Sequence, residues 1–151
     1  MAREVSNENV GFQLLMTAVP STAFKTTLDT TTANGTDLDA AKGLLVKWTL
    51  SNNFEVAAVV NDTMPCGKIV GIEGDSVNGY ILTIETWVVI SSSSTFYVTR
   101  CLHLPYSSAT IALGDEVQSF GTTYYVETAA GSGSGVVVAK DVETGFVDVL
   151  I

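Results

Sequence analysis

Leu44-Leu45-Val46-Lys47-Trp48-Thr49-Leu50, followed after Ser51-Asn52-Asn53 by Phe54-Glu55-Val56-Ala57-Ala58-Val59-Val60, is the stretch that decides the fold class. Side chains alternate across a strand, so Leu44, Val46, Trp48 and Leu50 share one face while Lys47 and Thr49 take the other. Phe54, Val56, Ala58 and Val60 repeat the pattern. A period of two on both sides of a short polar turn predicts a β-hairpin and argues against a helical bundle.

The same period continues toward the C-terminus. Asn61 to Gly67 closes the first unit, and strands are predicted over Lys68 to Ile72 and Tyr80 to Ile90, with Glu73-Gly74-Asp75-Ser76-Val77-Asn78-Gly79 as the loop between them. Tyr80, Leu82, Ile84, Val88 and Ile90 form a nearly continuous apolar face. Ser91 to Ser94 terminates it, after which Val98, Arg100, Leu102 and Leu104 alternate with polar neighbours up to Pro105. Short strands are predicted at Thr110 to Leu113, Glu116 to Phe120, Thr122 to Thr128, Val136 to Lys140 and Gly145 to Ile151. Gly131-Ser132-Gly133-Ser134-Gly135 reads as an exposed, tolerant hairpin tip.

Toward the N-terminus the pattern is less decisive. Gly11 to Pro20 fits helix or strand, and the threonines of Thr26-Thr27-Leu28-Asp29-Thr30-Thr31-Thr32 tip the following stretch toward β. Asp39 to Lys42 allows a short helical turn at most. Residues 1–9 read as an N-terminal arm, mobile or bound to a partner. The expected organisation is therefore all-β: the arm at 1–9, then a single β-rich domain at 10–151, a compact antiparallel β-sandwich or partly open β-barrel.

The 151 residues are 46% hydrophobic and 15% charged, with a net charge of -9 and a mean hydropathy of +0.34. A chain of this size buries about two-thirds of its unfolded surface, enough for one core. Its acidity disfavours nucleic acid and anionic lipid as partners. The low charge content leaves a surface of Thr, Ser, Gly and aliphatic residues suited to lateral contacts in an assembly. No apolar run reaches the length of a membrane span, and the first nine residues lack the apolar core of a signal peptide, so synthesis in a cytosol is expected. With Cys66 and Cys101 the only cysteines, a disulfide framework is not the organising device.

The candidate chemistry is sparse, and no catalytic, cofactor-binding or metal-binding residue is assigned. Cys101 and His103 share a strand face, yet two soft ligands do not make a zinc site, and a nucleophilic pair needs a further orienting group. Asp75, Asp115, Glu116, Asp141, Glu143 and Asp148 mostly adjoin glycines or turns, where carboxylates cap backbone donors and stay hydrated. Lys68-Ile69-Val70-Gly71-Ile72-Glu73-Gly74 matches neither phosphate-binding glycine motif. Trp48 and Trp87 fit sheet cores. Phe96, Tyr97, Tyr124 and Tyr125 are candidates for aromatic surface.

The C-terminal part resembles the family of small tailed-bacteriophage capsid decoration, or cement, proteins. The residues that carry the resemblance are Leu113-Gly114-Asp115-Glu116-Val117, a short strand pair around Gly121, Gly135-Val136-Val137-Val138-Ala139 and Thr144-Gly145-Phe146-Val147-Asp148-Val149-Leu150-Ile151. Gly67-Lys68-Ile69-Val70-Gly71 adds looser support. The resemblance implies a noncatalytic β-rich protein on the outer capsid surface of the virion, often a homotrimer, that binds the major capsid protein and bridges its neighbouring copies. The Thr-rich N-terminal region and the extended Leu44 to Leu104 section depart from the plainest family pattern. The competing expectation is a viral carbohydrate-binding β-sandwich or a small hydrolase.

Overall fold

A computed structural model describes residues 14–59, 65–90, 94–98, 100–107, 110–119 and 125–151. The predicted arm at 1–9, Val60 and the turn at 61–64, Ser91 to Ser93, and residues 120–124 with Gly121, Tyr124 and the first part of the strand expected at Thr122 to Thr128 lie outside the described residues.

The hairpin that decided the fold class is present, as β2 (Leu45–Trp48) paired antiparallel with β3 (Glu55–Ala58). Three more strands close it into a barrel: β1 (Leu14–Pro20), β4 (Gly67–Asp75) and β5 (Gly79–Thr86). The circuit runs β1, β3, β2, β4, β5 and back to β1. Every neighbour is antiparallel except β1 and β3, which run parallel at Val19/Glu55 and Pro20/Val56. The all-β expectation therefore holds, and the barrel is closed rather than partly open, through one parallel pair. A register shift between Ile69 and Gly71 bends β4 against β5, as an extra residue in one strand does. Inward residues fill the barrel: Met16, Ala18, Val46, Trp48, Val56, Ile69, Leu82 and Ile84 are all buried.

The Thr-rich stretch is a correction. Residues Thr22–Thr31 form helix α1 rather than a strand, because Phe24 and Leu28, four residues apart, place one apolar stripe in the barrel core. Ser21 Oγ accepts from Phe24 N–H and caps the start. The threonine hydroxyls donate back to the carbonyls four residues earlier, from Thr26 to Thr22 and from Thr30 to Thr26. Tertiary burial outweighs a propensity that disfavours helix by only a few tenths of a kcal/mol, roughly, per threonine. A polar network then ties α1 to the barrel. Thr32 Oγ1 lies 3.1 Å from Tyr80 OH, which donates to Asp29 Oδ1 at 2.9 Å, and Lys25 Nζ donates to Asp29 and to the Ser76 carbonyl. Burial, with the Asp29 carboxylate beside it, raises the Tyr80 phenol above its ordinary value. The short turn expected near Asp39 is a 3-10 turn at Leu38–Ala41.

Beyond the barrel the strands shorten. β6 (Val88–Ile90) pairs with β7 (Thr95–Tyr97), β9 (Val117–Ser119) pairs with β10 (Val126–Thr128), and β11 (Val136–Asp141), β12 (Phe146–Leu150) and β8 (Cys101–Pro105) form a three-stranded sheet in that order. Val136 to Ala139 are all buried because β11 is covered on both faces. Val136 and Val138 join the barrel core, while Val137 joins a second cluster with Ile111, Val117, Val126, Val147 and Val149.

Two further corrections concern local structure. Thr110 to Leu113 is not a strand. It leads into a turn at Leu113–Gly114 in which Gly114 N–H donates to the Val137 carbonyl and Lys140 Nζ donates to the Ile111 carbonyl. The segment 131–135 is not a free tip either. Gly133 N–H donates to Glu116 Oε2, Ser134 N–H donates to the Val117 carbonyl, and a Cβ on Gly133 would stand 2.6 Å from that carbonyl oxygen.

Candidate functional site

Of the acidic candidates, Asp75, Asp115 and Asp141 are held in turns. At the end of β4, Asp75 Oδ1 accepts from the backbone N–H groups of Val77 and Asn78, and its carboxylate also accepts from Asn78 Nδ2. Those bonds, the Asn78 backbone first, hold the carboxyl below its ordinary value. At the end of β11, Asp141 Oδ1 accepts from the N–H groups of Glu143 and Thr144, with the same downward effect led by Thr144. Glycines with positive φ, Gly79 at 88° and Gly145 at 78°, complete the two turns. Asp115 Oδ2 accepts from Ala112 N–H and from Thr128 Oγ1. Glu116 is buried and receives Gly133 N–H.

The predicted proximity of Cys101 and His103 along β8 takes a different form. His103 lies opposite Asp148 in the β8–β12 ladder, with His103 Nδ1 2.6 Å from Asp148 Oδ1. Its ring stacks on Phe146 at 4.6 Å between centroids and 4° between planes. Cys101 is half-buried, and that burial, with the Asp148 charge second, pushes its thiol up to about 11. A thiol so shifted is protonated at neutral pH and a poor nucleophile. Cys66 is buried, and neither cysteine is in a disulfide. Among the described residues, no three His, Cys, Asp or Glu side chains group as a metal site requires. No helix of the described chain is long and apolar enough to cross a membrane.

Surface apolar side chains are where the molecule departs from a fully satisfied exterior. Among the described residues Val77 is the most exposed of the large apolar side chains, at 88%, followed by Tyr97 and Val142 at 75% each, and the two valines stand at the apices of the β4–β5 and β11–β12 hairpins. Both apices follow an aspartate whose carboxylate binds the next turn of backbone, so each valine is presented on a rigid support. The outward face of β1 and β5 is a further apolar surface. Leu15, Val19 and Ile81 are exposed there, with Thr17 and Thr83 adding no charge. Glu85 pairs Leu15 in the ladder and Lys68 pairs Glu85, an ion pair at 3.5 Å that forms one rim.

Two grooves flank this face. One, of about 570 Å³, lies beside Lys25, Glu73, Tyr80 and Ile81. The other, of about 460 Å³, is lined by β1 from Leu14 to Val19 with Asn53, Phe54 and Cys101. Phe54 is the joint here. It holds a positive φ of 48°, costly for a bulky residue, and stays there because its N–H donates to the Val138 carbonyl while its own carbonyl accepts from Val19 N–H. Asn53 locks the same junction, exchanging two hydrogen bonds with the Lys140 backbone.

No family model, no curated protein and no solved structure matches this chain. Three segments of the C-terminal part adjoin in space, 113–117, 135–139 and 146–150, while Gly121 lies outside the described residues. Gly114 N–H donates to Val137, Val137 N–H to Asp115 and Val117 N–H to Gly135, and β11 pairs along its length with β12. Of the aromatic candidates, Trp48 is buried and donates to Thr86 Oγ1, Trp87 packs against the core, and Tyr97 and Tyr125 are exposed. Sequence reasoning did not single out Leu15, Val19, Val77, Ile81 or Val142. A signal existed for Val77 and Val142, since an aliphatic residue inside a turn of Asp, Asn, Thr and Gly has no local reason to be there.

Proposed function

We propose that this chain is a noncatalytic capsid decoration protein that binds the outer surface of an icosahedral phage shell and stabilises contacts between major capsid proteins, with a homotrimer as its working form. The observation that carries the reading is the pairing of exposed valines with carboxylates locked in turns at both hairpin apices. Aliphatic side chains on preordered supports lose little entropy on docking, which suits many small contacts repeated over a particle. The acidity of the chain keeps it off packaged nucleic acid.

Cryo-electron microscopy of purified shells with and without the protein tests this directly. The reading predicts added density at symmetry axes and a higher shell disruption temperature, both reduced in the double variant Val77→Ser, Val142→Ser, whose own melting point stays near wild type. Shells that neither gain density nor resist heat better would refute it. Removing residues 1–9 is expected to lower shell occupancy more than domain stability. The second reading, a carbohydrate-binding protein, draws on the parallel His103–Phe146 pair beside Asp148. Glycan binding lost on Phe146→Ala would favour it.

A further inference from the structure

We infer that the edge of β1 facing away from β5 is a strand-addition site that takes an extended, uncharged segment of a partner polypeptide with aliphatic side chains at alternating positions. The parity of backbone groups along β1 fixes which edge is open. Val19 N–H donates to the Phe54 carbonyl and Ser21 N–H to the Val56 carbonyl, so odd-numbered residues direct their N–H and C=O toward the β3 side. Even-numbered residues consequently carry the ladder to β5, where Leu14, Met16 and Ala18 stand opposite Thr86, Ile84 and Leu82. Pairing with β3 begins only at Val19. Leu15 and Thr17 therefore present backbone donors and acceptors to which no partner is assigned among the described residues.

The groove along that edge has the shape and chemistry of a strand. Its lining takes six consecutive residues of β1 and none of β5, which places it against the open edge and not over the sheet face. No charged side chain lines it, and the Asn53 amide is already bonded to Lys140. A nucleic acid or an anionic ligand finds no cation there, and the polar side chains on its lining are the Thr17 hydroxyl, the Cys101 thiol and the Asn53 amide. An extended chain answers the unpaired N–H and C=O groups, spaced about 7 Å apart on alternate residues, while its own aliphatic side chains meet Leu15, Phe54 and Val19. The run 14–18, which pairs with β5 but not with β3, is about 17 Å long and fits a strand of about five residues. The assignment goes beyond the capsid reading and does not depend on it.

The test uses the full chain and a fluorescein-labelled octapeptide of alternating valine and threonine flanked by Ser-Gly. A control peptide of the same sequence is N-methylated at alternate amides, so that it keeps its side chains and loses one hydrogen-bonding edge. Amide exchange at Leu15 and Thr17 is expected to slow about tenfold or more with the first peptide and to stay unchanged with the control. Thr17→Pro removes an N–H that takes part in no ladder bond, and is expected to weaken peptide binding about tenfold while melting within a few degrees of wild type. Should that variant fail to fold, Leu15→Lys, which brings a charge to the groove, supplies the same readout. Equal binding of both peptides, protection that maps elsewhere than β1, or no protection at millimolar peptide would each overturn the assignment. Protection of Leu15 and Thr17 that rises with protein concentration alone would replace the partner polypeptide by a second copy of this chain. None of these outcomes bears on whether shells gain density.

Discussion

The barrel and the C-terminal sheets solve the same problem with opposite amounts of closure. In the barrel, strands of four to nine residues run in a circuit, and β4 and β5 pair from Gly67/Thr86 to Asp75/Gly79. The later strands run from three to six residues, in one sheet of three and two of two strands. Closure leaves the barrel an edge only where β1 runs outside its two-residue pairing with β3, whereas the short open sheets keep edges throughout. Burial differs accordingly: the barrel core holds Leu82, Ile84, Ile69 and Trp48, whereas the second cluster is mostly valine. The difference teaches that this chain puts most of its stability in the barrel and leaves edges in the short sheets and along one half of β1. Phe54, Asn53 and Val138 hold the two together.

The largest expected effect tests where stability resides. Leu82→Ala leaves a cavity in a closed core and should lower the unfolding free energy by about 2–5 kcal/mol, whereas Val149→Ala, which removes less, should cost about 2 kcal/mol. Denaturant unfolding measures both. Equal costs would break the distinction.

Next in size is the junction between the regions. The Cys101 thiol, raised to about 11 chiefly by burial, should alkylate on the order of 100-fold more slowly at pH 8 than a free cysteine, because the thiolate is the reacting form. Its raised value means that stability is full below the unfolded thiol range and declines as pH climbs from there through about 11. Iodoacetamide labelling followed by peptide mapping reads the rate. Labelling at the free-thiol rate would mean that the junction opens.

A smaller effect separates two glycines with positive φ. Gly145, at 78°, has open space where a Cβ would go, so Gly145→Ala should cost about 1 kcal/mol from backbone strain alone. At Gly74 a Cβ would collide with the Gly79 carbonyl in the barrel's own hairpin, so Gly74→Ala should cost more. Thermal melts of the two variants set the order. The smallest effect links the regions through pH. Asp75 and Asp141 are both held below their ordinary values, so each hairpin's carboxylate bonds are intact above about pH 3.8 and are lost as pH falls through the lowered folded values. Amide shifts of Val77 and Glu143 should move together in an acid titration. A change at only one apex would show that the two turns are not equivalent.

The β hairpins were legible because their inward faces are unambiguous. Val46 and Trp48, or Leu82 and Ile84, can be buried together only in a strand. The loop expected at 73–79 shrank to Ser76–Asn78 because Glu73 and Gly74 still pair, with Ile81 and Tyr80. Helix α1 escaped because its cause is remote: Phe24 and Leu28 need a barrel to pack against before a threonine-rich helix is favourable. The turn carboxylates were readable as caps from their glycine neighbours, and the structure bonds Asp75, Asp115 and Asp141 in that way. The exposed aliphatic residues were not readable, since alternation marks which residues share a face and leaves open which face meets solvent.

Composition and periodicity by themselves determined that this acidic chain is built from short strands, because charge totals and period-two patterning are local sums that need no partner. Only the tertiary structure decided that β1 closes the barrel against a parallel β3 at two residues and leaves Leu15 and Thr17 beyond the pairing. It likewise decided that Val77 and Val142 stand exposed at hairpin apices whose turns are bonded to Asp75 and Asp141. Those outcomes depend on which segments meet across the chain, and a contact between distant segments is paid for in loop-closure entropy and repaid by burial that no local window contains.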